Sequence, residues 1–417
     1  MSDHARCASG VAVARPVIEV ADIFRRHLDG YRHSHALTMG QDRAARALVA
    51  CRTPALGGHL DRCTTCGFEK PAYNSCRNRH CPKCQALEQA RWVEARLDRI
   101  LPVYYFHLVF TLPSELHGLA YSNPGEIFAL LFRSAADALL TLAADPKWLG
   151  ATAKPGITAV LHTWTRDLRF HPHVHCIVTA GGLSHDQSQW VEAPRDFLFP
   201  VHVISSLFRG KFMAGLQELF AKGKLHDDTS DRAARRRRQR LYQTTWVVYA
   251  KRSFGGPQQV FRYLGRYTHR VAISNARLVS ADDRAVVFRT RGAATATVSP
   301  PEFIGRFLLH ILPSHFVKIR HFGLMASGNV STKLECARAL LPAMPAADAC
   351  RDQPNAETGD DTVADPGHHV DPTLPWPALL LALTGIDALL CPRCQRRTMV
   401  REALPLARAS PPEREST

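Results

Sequence analysis

The segment Phe170-His171-Pro172-His173-Val174-His175-Cys176-Ile177-Val178 decides how the rest of the chain is read. Its β-branched and aromatic content predicts a strand. Side chains of a strand alternate between faces, so His173 and His175 project from one side while Val174 enters the core from the other. Two imidazoles on one face make half of a divalent-metal site. His171, next to Pro172, falls at the strand edge. Residues 158–164 read as a second strand, and the short turn between them predicts a hairpin. Residues 103–112 form a third strand that Pro113 stops, and 127–142 an apolar helix. Residues 201–223 are mostly helical, and 244–250 make a fourth strand. Strands near 285–289 and 295–299 precede a helix at 301–312. This order predicts an α+β fold, an antiparallel ferredoxin-like sheet with helices on one face.

Gly255-Gly256-Pro257 opens a predicted helix that carries Tyr263-Leu264-Gly265-Arg266-Tyr267. Residues four apart stand above one another on a helix, so Tyr263 and Tyr267 share a face. A phenol with a reference pKa of ~10 is a poor nucleophile at neutral pH. A divalent ion polarises a scissile phosphate, and nearby cations steady the charge that develops on it. Gln259, one turn before Tyr263, is the candidate third ligand beside His173 and His175. A metal site with two aligned phenols points to phosphodiester cleavage that keeps the cut end on tyrosine, the bond energy being stored in the covalent link. Arg266 and Arg270 are candidate DNA contacts in the same stretch.

Composition agrees with a polyanionic partner. Lys and Arg total 53 against 37 acidic residues, a formal charge of +16, and phosphate contacts dominate affinity in such proteins. The run from Arg232 to Arg240, with Arg235 and Arg236 at its centre, lies between predicted elements. It reads either as a solvated loop or as a grip on the DNA backbone. Residues 1–20 lack a secretion signal, and the most apolar run, 376–390, is short for a membrane span. The expectation is a cytoplasmic, nucleoid-associated protein with no membrane partner, whose 12 cysteines serve metal rather than disulfides.

The cysteine spacing is specific. Cys63-Thr64-Thr65-Cys66 and Cys81-Pro82-Lys83-Cys84 are two CxxC pairs at the separation of a four-cysteine structural zinc site. Cys76 and His80 lie between them and are alternative ligands, either replacing one pair or joining His59 at a second ion. Arg77, Arg79 and Lys83 stand among the ligands as candidate phosphate contacts. A long amphipathic helix is expected from Gln85 to about Leu101. Another CxxC, Cys391 and Cys394, needs two ligands that the sequence does not identify.

Taken together, Tyr73-Asn74-Ser75-Cys76-Arg77-Asn78-Arg79-His80-Cys81-Pro82-Lys83-Cys84, Val109-Phe110-Thr111-Leu112-Pro113, the segment His171 to Val178, and Tyr263 to Asn275 resemble the two-tyrosine rolling-circle (HUH) transposases of the insertion-sequence ninety-one group. The resemblance runs through most of residues 50–325. It implies an HUH nuclease palm with an RRM-like sheet and a small zinc-binding domain before it. It also implies Mg²⁺ or Mn²⁺ at His173 and His175, structural Zn²⁺, nucleophiles at Tyr263 and Tyr267, and single-stranded DNA at element ends and target. The chain carries no helicase motif, so a host helicase would unwind the duplex. The expected division is a basic helical region (1–52), the zinc-binding domain with its following helix (53–100), the HUH endonuclease (101–325), a helical end and disordered linker (326–375), and a C-terminal CxxC element (376–417). A plasmid replication initiator or a relaxase shares this chemistry. A metal-dependent hydrolase using the HxH pair, or a zinc protein that binds DNA without cutting it, are the readings from other classes.

Overall fold

The histidine segment is the central strand of a five-stranded antiparallel sheet in the computed structural model, which describes residues 18–84, 99–194, 198–227, 229–252, 272–342 and 374–404. Across the sheet the strands run Ile319–Gly323, Gly156–Trp164, Phe170–Thr179, Tyr105–Thr111 and Val248–Arg252, each antiparallel to its neighbour. The expected hairpin is present, with Thr158 opposite Ile177, Val160 opposite His175 and His162 opposite His173. Along the chain the order is strand, helix Pro124–Ala144, two strands, helix Val201–Ala221 and strand. The edge strand Ile319–Gly323 was not anticipated. Its sequence, Ile-Arg-His-Phe-Gly, lacks the apolar run that marks a strand, and it is held by pairing with Ile157 and Val160.

Period two sorts this sheet into a packed face and a polar face. Phe106, Leu108, Phe110, Ile157, Ala159, Leu161, Val174, Cys176 and Val178 share one core with the two long helices. The helix Pro124–Ala144 starts with proline at its first turn, where no N–H is needed. Among the described residues it is the helix long and apolar enough to cross a membrane, yet 67% of its most apolar window is buried here. Helix Val201–Ala221 adds Phe208, whose ring meets Phe110 and Trp246 edge-on at 5.1 and 5.2 Å. Gly323 ends the edge strand at φ +59°, where an added Cβ would stand 1.9 Å from the Pro155 carbonyl oxygen, so only glycine fits.

The basic run is not a loop. Residues Asp231–Gln243 form an α-helix, consistent with the high helix propensity of arginine. Leu241 is buried, and Arg237 pairs with Asp227. Arg235 and Arg236 are exposed on it.

The chain divides into two compact units, one of residues 95–272 and 305–359, the other of 1–94, 273–304 and 360–417. The second unit opens with helices Val20–Ser34 and Met39–Ala50. Thr38 and Gln41 close a reciprocal capping box at the start of the latter. Strands Gly58–Cys63 and Glu69–Tyr73 follow, and Met399–Leu404 joins them in a three-stranded sheet with Gly58–Cys63 at its centre. A separate three-stranded meander comprises Leu278–Ala281, Val286–Arg289 and Thr295–Val298. The helix expected from Gln85 and the linker at 343–375 fall almost wholly outside the described residues.

Truncating Phe208→Ala removes the ring that joins helix to sheet. It is expected to cost about 3–5 kcal/mol, read as a lower urea midpoint.

Candidate functional site

The polar face of the five-stranded sheet gathers the histidines. His173 and His175 project from the same side of the central strand, as the alternation requires. His162 reaches the same point from the neighbouring strand because it pairs with His173. The ligand nitrogens of His162, His173 and His175 all lie within 4.8 Å of one another, a spacing that one ion can span after small ring rotations. His162 was missed in the sequence. The signal was its parity, since a hairpin register that pairs 162 with 173 puts both on one face.

Hydrogen bonds fix which nitrogens face outward. His173 Nδ1–H donates to the carbonyl oxygen of His171 at 2.7 Å, which leaves Nε2 as its lone-pair nitrogen. His175 Nδ1 shares a 2.8 Å hydrogen bond with His107 Nε2, and the two rings stack 4° from parallel. His107 comes from strand Tyr105–Thr111. Such partners set ring orientation and tautomer at metal sites. His162 stacks on Trp164 at 4.9 Å.

Burial keeps this cluster neutral. It holds His173 down to about 4, helped by the like charge of neighbouring histidines. His107 lies at about 4 through burial and then Lys251. His175 is pushed well below the usual histidine range by burial, then by His173, His107 and Lys318. Unprotonated imidazoles are the form that binds metal. Lys251 and Lys318 supply fixed positive charge near the cluster. Lys318 Nζ stands 5.0 Å above the Trp164 ring.

Tyr263, Tyr267, Gln259, Arg266 and Arg270 lie outside the described residues.

The cysteines assemble differently from the single site expected. Cys81 and Cys84 meet Cys51 and Cys76, and Cys63 and Cys66 meet Cys391 and Cys394. Within each group of four the sulfurs lie within 4.8 Å of one another. In the first group, Cys51 to Cys84, Cys51 to Cys81 and Cys76 to Cys84 measure 3.3, 3.5 and 3.7 Å. A tetrahedron with Zn–S bonds of about 2.3 Å has edges of about 3.8 Å, so this donor set fits zinc. Cys51, the C-cap of helix Met39–Ala50, takes the place considered for His80. His80 accepts instead from Arg79 Nε at 3.3 Å. Cys51 sits in no CxxC, so spacing gave no sign of it. His59 joins no metal cluster among the described residues; its Nδ1 is buried without a hydrogen-bond partner. Sulfur hydrogen bonds, first from Cys76, draw the Cys51 thiol down to about 6, while Cys76 and Cys81 are pushed up by their neighbours. Four thiols this close cannot all ionise without a cation among them. Arg77 and Arg79 are exposed, whereas Lys83 is half-buried in an ion pair with Glu19.

A cysteine-rich metal-binding unit and an α+β sheet bearing a histidine cluster, in so basic a chain, define a DNA-processing protein. Comparison with known proteins makes this specific. A family described as "Transposase zinc-binding domain" matches residues 23–112, and one described as "Putative transposase" matches 156–333. "Putative transposase y4qJ" of Sinorhizobium fredii is 47% identical over 342 residues, covering 79% of this chain and 85% of that protein. "Transposase for insertion sequence element IS801" of Pseudomonas savastanoi pv. phaseolicola is 30% identical over 308 residues, 67% of this chain and 69% of that one. No solved structure gives a significant match. The chain belongs to the IS91-type transposase family. The zinc-binding match ends at residue 112, which leaves Cys391 and Cys394 outside it.

Replacing His107→Ala is expected to weaken Mn²⁺ binding about 10–100-fold with the circular dichroism unchanged. Titration calorimetry checks this, and unaltered affinity would exclude His107 from the site.

Proposed function

We propose that this transposase is an HUH-type nuclease that nicks and rejoins single-stranded DNA at element ends through 5′-phosphotyrosine links, as in rolling-circle transposition. The observation that carries the reading is the convergence of His162, His173 and His175 on the face of the sheet opposite its helices. The strand order and the strand–helix–strand–strand–helix–strand sequence suit a ferredoxin-like nuclease palm. His162 takes the role considered for Gln259 as third ligand. Three imidazoles suit Mn²⁺ better than the harder Mg²⁺, which prefers oxygen.

When bound, the ion supplies Lewis-acid polarisation of the scissile phosphate. The chain's own groups do the rest. His173 and His175 hold the site open in the neutral form, their rings oriented by the His171 carbonyl and by His107. Lys251 and Lys318 offset phosphate charge. The phenol oxygen of Tyr263 or Tyr267 attacks phosphorus, the P–O3′ bond breaks, and the phenolic proton is passed on so that a 3′-hydroxyl leaves. One phosphodiester is exchanged for another, so no nucleotide hydrolysis is required. A second tyrosine allows a second junction to be cut while the first link persists. Arg77, Arg79, Arg235, Arg236, Arg266 and Arg270 are proposed contacts for the DNA backbone, with unwinding left to a host helicase and the work done on the nucleoid.

The test is covalent capture. Labelled single-stranded element ends incubated with Mn²⁺ are expected to yield an adduct that survives SDS. It should be absent in the Tyr263→Phe/Tyr267→Phe double variant and strongly reduced in His162→Ala. A double variant that still forms the adduct removes both tyrosines as nucleophiles.

A further inference from the structure

We propose that Cys63, Cys66, Cys391 and Cys394 form a second structural zinc site, separate from the Cys51 cluster, in which the C-terminal segment supplies half the ligands. None of these four cysteines belongs to the histidine cluster. The family comparisons assign zinc binding to residues 23–112 alone, and the two clusters share no cysteine.

The sulfur spacing fits one ion. Cys63 to Cys394 and Cys66 to Cys391 each measure 3.6 Å between sulfurs, close to the edge of about 3.8 Å expected of a zinc tetrathiolate. All four cysteines are free.

The same backbone device holds both CxxC pairs. In one arm, Cys63 N–H donates to Phe68 O at 2.8 Å and Gly67 N–H to Cys63 O at 3.1 Å. In the other, Cys391 N–H donates to Arg396 O at 2.8 Å and Gln395 N–H to Cys391 O at 2.9 Å. The residue after each second cysteine is left-handed, Gly67 at φ +65° and Gln395 at φ +56°. Two stretches 328 residues apart (from Cys63 to Cys391) thus fold into the same tight turn, each curling its CxxC around one side of a common point. A non-glycine residue in that region is uncommon, and Gln395 adopts it where the turn demands it.

The apolar cluster around these sulfurs is small. Its core is Cys63, Cys391 and Met399, with Cys66, Phe68 and Cys394 packed around them. Four of those six side chains are the sulfur ligands. So small an apolar cluster does not stabilise a fold unaided, and structural metal is the usual remedy in minimal domains. Around the sulfurs the two segments are keyed together. Strands Gly58–Cys63 and Met399–Leu404 pair over six residues. The Thr398 hydroxyl lies 3.2 Å from Cys63 Sγ. Arg401 grips Asp61 with two hydrogen bonds, at 2.6 and 2.9 Å. The consequence is that the C-terminal segment is an integral part of the zinc unit.

The full-length protein, expressed in zinc-supplemented medium and dialysed without chelator, is assayed for metal by elemental mass spectrometry against quantified protein. Two zinc ions per chain are expected. Cys391→Ser/Cys394→Ser should fall from two to one, and so should Cys51→Ser/Cys84→Ser. One ion in the unaltered protein, iron in place of zinc, or two ions retained after Cys391→Ser/Cys394→Ser would each overturn the proposal. Should that variant not fold, the unaltered protein decides alone. Its cobalt-substituted form should take up two equivalents, each with equal thiolate-to-metal charge-transfer intensity. Saturation at one equivalent overturns the second site.

Discussion

The parity of strand Phe170–Thr179 is the constraint on which the rest of the five-stranded sheet and its histidine cluster depends. Val174, Cys176 and Val178 must meet the helices, and this obliges His173 and His175 to face the other way. A slip of one residue would drive two imidazoles into an apolar core and turn the core residues outward. The same packing that stabilises the sheet therefore aims the site. Tyr105–Thr111 and Gly156–Trp164 obey the same rule, which is why His107 and His162 arrive on the histidine face while Phe106, Leu108 and Leu161 do not.

Electrostatics completes what geometry begins. Burial and mutual repulsion keep the histidines neutral, so the cluster presents lone pairs rather than charge. The positive charge resides in lysines close by and in the arginines of the chain as a whole. Separating the two functions matters, because a protonated imidazole would repel a metal ion and a neutral surface would not attract DNA. The excess of +16 acts over the whole molecule, whereas the histidines act only on what reaches them.

The other unit solves a different problem. Around Cys63 and Cys391 its apolar cluster is small, with Met399 and Phe68 beside the cysteines, and its sulfurs are drawn from parts of the chain far apart in sequence. Where a core of leucines would be held by area, a cysteine cluster is held by a few strong directional bonds. Such a site can recruit a strand from the end of the chain because ligation tolerates long intervening loops, whose closure entropy grows only slowly with length.

Much of this was legible in the sequence. Local periodicity revealed the two long helices, the hairpin and the histidine pair, since each is written within one continuous stretch of the chain. The CxxC pairs announced metal. What periodicity does not encode is partnership. His162 joins His173 through strand register, Cys51 enters a cluster from a helix end, and Cys63 finds Cys391 across most of the chain. The edge strand Ile319–Gly323 exists because a neighbour offers it hydrogen bonds, and the arginine run is a helix because Leu241 and Asp227 anchor it. Residue types and their spacing thus determined which chemistry was available. The tertiary structure alone decided which of these side chains meet in one cluster, because meeting depends on distances in space, and those are set by how separate segments pack.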